Sequence, residues 1–159
     1  MRRRRVTKFV FWAYCAVMAL LLFGRIRFVI QGDYWSTLSQ HLNLSPFHTI
    51  QLFTNVLLGD YTAELRRDAI VNLAGNVVMF LPLGFLPPVL WKGFRKFWKM
   101  LLWGTVIILC VEGLQLFALV GKWDIDDLLL NLVGIAMGYG LYRLAVWMDK
   151  GKKKWALKD

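Results

Sequence analysis

Four long apolar runs, separated by polar or glycine-containing stretches, set the pattern of this chain. They cover about residues 9–24, 69–91, 97–120 and 125–148. A helix needs about 20 residues to cross a hydrocarbon core of about 30 Å, so each run predicts one membrane-spanning helix. The fold class that follows is an all-α membrane protein: one domain over residues 1–159, built as a bundle of four transmembrane helices. The one sizeable non-spanning segment is the loop from about residue 31 to 68. Residues 49–58 within it are apolar but too few to cross, which leaves two readings, an interfacial helix or a re-entrant segment. Arg2 to Arg5 precede the first run like the basic region of a signal peptide. Gly24, Arg25, Ile26 and Arg27 then follow it without a small-x-small cleavage pattern, so the run reads as a retained span.

Charge orients the bundle. One side collects Arg2 to Arg5, Lys8, Lys92, Arg95, Lys96, Lys99, Arg143 and the tail over residues 150–159, with only Asp149 and Asp159 against them. The other side holds Arg25, Arg27, Arg66, Arg67 and Lys122 among the remaining acids. This asymmetry alternates through four spans and predicts that both termini are cytoplasmic. The net charge of +10 therefore reads as membrane orientation and contact with anionic lipid, and nucleic acid is not an expected partner. Composition agrees: 58% of the 159 residues are hydrophobic and 15% aromatic, with mean hydropathy +0.49. That excludes a disordered or disulfide-stapled chain. Cys15 and Cys110 sit far apart inside apolar runs and read as buried hydrophobes. His41 and His48 lie in the outer loop with no ligand pair nearby.

The polar residues inside the spans share one depth. Asn72 and Asn76, at i, i+4 on the second span, lie one to two turns below its outer end, with Phe80 continuing the same face. Glu112 and Gln115, at i, i+3, fall in the outer third of the third span. Asp124, Asp126 and Asp127 open the fourth span, and Asn131 follows Asp127 at i, i+4. A carboxylic acid at a span's centre costs about 2.5–3.5 kcal/mol on insertion scales, and less near an interface. Convergence at one depth therefore marks a task shared by three helices. Plainer roles exist for each member: interhelical hydrogen bonding for Asn72 and Asn76, and helix capping for Asp124 and Asp127. Glu112 is hardest to explain this way, having no basic residue at i±3 or i±4. Gly134 and Gly138 form a G-x-x-x-G face suited to close helix approach. Pro82, Gly84, Pro87 and Pro88 are expected to bend or end the second span near its inner end.

These residues carry a resemblance. The run from Asn72 to Gly84 reads N-x-x-G-N-x-x-x-F-x-P-L-G. It is followed by Glu112-x-x-Gln115 and by Asp124, Asp126, Asp127, Asn131 and Gly134 in order. Asn43 to Ile50 reads N-L-x-P-F-x-T-I. Together these resemble the VanZ-like family of membrane proteins over about residues 43–139. Lys122 and Trp123 depart from the pattern, because many members carry an arginine in the loop before the aspartates. The resemblance implies a multi-pass protein of the bacterial plasma membrane. The family's founding member is associated with resistance to teicoplanin, a glycopeptide that carries a lipid chain.

Three functional classes compete. In the first, the protein is a hydrolase or transferase acting on a lipid-linked, extracytoplasmic substrate such as a cell-wall precursor. Glu112 is then the general acid or base, and Asp126 and Asp127 supply a second carboxylate or hold a divalent cation through oxygen ligands. Asn72, Asn76, Gln115, Asn131 and Asp124 bind the substrate. In the second, the same pocket is a non-catalytic module that binds a membrane lipid, a lipoglycopeptide head group or a partner protein. The third, a small transporter or proton pathway, ranks last, since the inner half of the spans has no matching polar residues apart from Arg143 near its end.

Overall fold

In a computed structural model of the protein, residues 2–24 and 33–156 are described. Arg25, Arg27 and the side chains of the basic tail over residues 150–159 lie outside the described residues. The chain runs through helix α1 (Arg2–Phe23), a short helix α2 (Tyr34–Gln40), strand β1 (Leu42–Asn43) and helices α3 (His48–Leu58) and α4 (Ala63–Leu90). A 3-10 turn (Lys92–Arg95) then leads to α5 (Phe97–Phe117), strand β2 (Trp123–Asp124) and α6 (Ile125–Ala156). Helices α1, α4, α5 and α6 hold the four apolar runs, and each is long and apolar enough to cross a membrane.

The boundaries differ from the apolar runs where local chemistry intervenes. Helix α4 begins at Ala63, six residues before the run, because the Thr62 hydroxyl accepts a bond from the Leu65 N–H and Glu64 sits in the positive first turn. Helix α5 stops at Phe117, three residues early. Leu119 takes a left-handed conformation (φ 52°), which lets Leu119 N–H reach the Leu116 carbonyl and Val120 N–H reach the Gln115 carbonyl. This Schellman turn normally uses glycine; here the Leu119 side chain is buried. Pro82 does not end α4. The helix continues to Leu90, two residues past Pro88, with Pro87 and Pro88 fully buried. Each proline forfeits one backbone bond, and packing against neighbouring helices sustains the helix.

Helix α4 makes its most extensive contact with α6. A Cβ on Gly138 would collide with the Leu81 carbonyl, and one on Gly84 with the Ile135 carbonyl. The G-x-x-x-G face on α6 thus has its counterpart in Gly84, and the two backbones touch. Helix α5 packs on the same pair, burying Met100 and Ile108 against Ile135. Helix α1 leans on α4, where the Tyr14 hydroxyl donates to the Met79 carbonyl (2.8 Å), and has little contact with α5. Cys15 is half-buried, whereas Cys110 faces outward from the bundle, so only the first approaches the expected packing role.

The loop between α1 and α4 is structured in its described part. Residues 49–58 belong to α3, an 11-residue helix with no fully buried residue that lies along α4. Strand β1 pairs in parallel with β2, placing Leu42 opposite Trp123 and Asn43 opposite Asp124. The Trp123 N–H also donates to the His41 carbonyl (2.8 Å). The loop is therefore laced onto the turn that opens α6.

Candidate functional site

The three aspartates at the start of α6 have different surroundings. Asp126 is completely buried, and its two carboxylate oxygens accept from the backbone N–H groups of Phe47 (2.6 Å) and Ile50 (3.0 Å). These are the N-cap and third residue of α3, whose first-turn N–H groups have no partner within that helix. Phe47 has no capping side chain of its own and holds a left-handed φ of 64°, which is costly for a bulky residue. Asp126 thus caps α3 from another helix, and its charge-assisted bonds hold Phe47 in a conformation it would not choose alone. Asp124 accepts from Thr49 Oγ1 (2.6 Å) and Asn43 Nδ2 (3.1 Å) with one oxygen and from the Asp126 N–H (2.9 Å) with the other. The last bond is the N-cap role anticipated for Asp124; the first two tie the loop to it.

Asp127 points elsewhere. Its carboxylate accepts from Asn76 Nδ2 on α4 (2.6 Å). Both residues line a small cavity of about 170 Å³ whose other polar walls are Glu112, Gln115, Lys122 and Asn131. The Glu112 and Asp127 carboxyls lie near enough to feel each other's charge, and the Asp124 backbone N–H is turned toward Glu112. Glu112 is 6% exposed and Asn131 5%, yet Glu112 Oε2 and Asn131 Oδ1 have no hydrogen-bond partner. Leaving a buried polar atom unpaired costs about 1–3 kcal/mol, so two on residues that line one cavity mark a place where a ligand could complete the bonding. Gln115 lines the cavity too, but its amide donates to the Leu22 carbonyl (2.8 Å) and fastens the end of α1 to α5.

Of the eight residues singled out in the sequence, the cavity gathers five: Asn76, Glu112, Gln115, Asp127 and Asn131. Asp124 and Asp126 stand behind its wall as the clamp on the loop. Asn72 lines a neighbouring cavity of about 550 Å³ with Asn76, Asp68 and Phe53, where its Oδ1 is also unpartnered. For a divalent cation the fit is poor: Asp126, one of the two proposed ligands, has both oxygens facing N–H donors. Among the described residues no group of three or more His, Cys, Asp or Glu is placed to hold a metal ion. Sequence reasoning missed Lys122 as a cavity residue, as well as Thr49 and the Phe47 N–H as partners of the aspartates. The run N-L-x-P-F-x-T-I contains every one of those loop partners, and that was the available signal.

Residues 11–146 match the VanZ/LLP1 family over most of the chain, and the chain belongs to that family. No curated protein matches it significantly, and no solved structure does.

Proposed function

We propose that this VanZ/LLP1 membrane protein binds, and acts on, the polar head group of a lipid-linked cell-envelope component at the outer leaflet of the bacterial plasma membrane. The observation that carries the reading is the pair of buried, unpartnered oxygens, Glu112 Oε2 and Asn131 Oδ1, on residues that line a cavity between α4, α5 and α6. Charge distribution supports the orientation. The basic residues cluster at the end carrying the turn from Lys92 to Arg95 and the tail, which supports a cytoplasmic position for that end and both termini and an outer one for the cavity.

Within this reading the two cavity carboxyls have separate roles. Asp127 is engaged by Asn76 and presents a fixed negative wall. Glu112 keeps a free oxygen and is the group able to take or give a proton to a bound hydroxyl or amine. Asn131 and Asn76 orient the head group. A lipid-borne ligand also connects with teicoplanin, whose acyl chain distinguishes it from vancomycin.

The test is susceptibility of a sensitive Gram-positive host to both glycopeptides, at matched membrane abundance of wild type, Glu112→Gln and Asp127→Asn. The expected outcome is a teicoplanin-selective shift with wild type that both variants lose. Equal shifts with all three proteins would show that the cavity carboxyls are packing devices.

A further inference from the structure

A third cavity, of about 530 Å³, runs between α1, α4 and α5 and is almost wholly apolar. It shares Leu22 and Val111 with the polar cavity, so the two adjoin at the loop end of the bundle. At the opposite end it abuts an aromatic cluster in which Phe11 stacks edge-on to Trp91 (5.1 Å) and Phe94 lies 4.8 Å from Trp103. We propose that this groove holds one hydrocarbon chain of the same lipid whose head group occupies the polar cavity. The proposal rests on the reading above and deepens it, because it makes the ligand a single amphiphile lying along α1.

The length of the groove suits a hydrocarbon chain. The groove follows α1 from Phe11 to Phe23, about 18 Å at 1.5 Å per residue, against about 15 Å for half of a 30 Å hydrocarbon core. An extended hydrocarbon chain matches that length. Access is from the side, since α1 and α5 scarcely touch along the groove and the bond from Gln115 to Leu22 joins them at the loop end. The unpartnered acceptors that a head group would bond, on Glu112 and Asn131, lie at the loop end, so the polar end of the ligand belongs there.

The head group's chemistry follows from what the cavity lacks. Its unpartnered buried atoms are both acceptors, and Asp127 adds a further negative oxygen. Such a site calls for donors, the hydroxyls of a glycerol or sugar or an amine. A phosphate placed between Glu112 and Asp127 would sit beside two acidic side chains, with Lys122 the one cation among the described lining residues.

The experiment uses the full chain in phosphatidylglycerol vesicles and two photoactivatable probes. One is a monoacylglycerol with a diazirine at mid-chain; the other is its 3-phosphate with the same chain. Crosslinks are mapped by mass spectrometry in wild type, in Cys15→Trp, which fills the groove, and in Glu112→Gln. Thermal unfolding confirms folding, and Ala19→Phe replaces Cys15→Trp if that protein does not fold. The expected result is labelling concentrated on the groove, about tenfold stronger for the monoacylglycerol than for the phosphate, and lost in Cys15→Trp. Glu112→Gln lowers it about tenfold as well. Labelling spread equally over outward-facing Leu20, Leu102 and Leu109, or no labelling, overturns the proposal. If Glu112→Gln abolishes capture and the groove-filling variant does not, the polar site stands and the tail assignment falls. If groove labelling is indifferent to Glu112→Gln and to the phosphate, the groove takes bulk lipid; the tail is then not tied to the cavity, and the head-group reading fails with it.

Discussion

Asp126 and Glu112 are both buried acids near the same end of the bundle, yet their surroundings are opposite. Asp126 has a partner for each oxygen, and both partners are backbone N–H groups of one distant helix turn. Glu112 has one oxygen with none. A fully satisfied buried charge does structural work, and removing it strands its partners. An unsatisfied one weakens the fold and persists only where something outside the chain supplies the missing bond. Burial alone does not distinguish a clamp from a site; counting the remaining bonding capacity does.

The largest test of this contrast is Asp126→Ala. It leaves two donors of α3 unpaired and releases the strained Phe47, and should cost about 3 kcal/mol in chemical unfolding from mixed micelles. Protease cleavage in the loop around residues 44–48 should rise with it. Asp124→Ala should cost less, about 2 kcal/mol, since its partners Asn43 and Thr49 are only partly buried. A smaller loss, about 1 kcal/mol, is expected for Asn76→Ala, which takes the hydrogen bond from Asp127. Glu112→Met comes last: with no bond at Oε2 to lose, it should leave unfolding unchanged or raise stability by up to about 1 kcal/mol. A loss of 2 kcal/mol or more for Glu112→Met would erase the distinction.

Much of this was legible in the sequence, and the reasons differ by feature. The four spans were, because apolar length is dictated by bilayer thickness and does not depend on tertiary contacts. The depth coincidence of Asn76, Glu112, Asp127 and Asn131 was also readable, since antiparallel helices convert sequence position into depth. The division of labour among Asp124, Asp126 and Asp127 was not. It depends on contacts between residues 75 to 81 positions apart, fixed by a two-residue parallel pairing that leaves no periodic trace. Lys122 was hidden for a related reason: the left-handed turn at Leu119 brings the following residues over the cavity. Gly134 and Gly138 were recognisable as a close-approach face, but their partner Gly84 could be identified only once the α4–α6 crossing was known.

The most direct measurement compares function per folded molecule for Glu112→Gln and Asp126→Asn, as the teicoplanin shift divided by membrane abundance of folded protein. Glu112→Gln is expected to reach wild-type abundance with no shift. Asp126→Asn should fall in abundance while each surviving molecule retains its effect. A Glu112→Gln protein with wild-type shift at wild-type abundance would contradict the central claim, because the spare bonding capacity in the cavity would then serve no function.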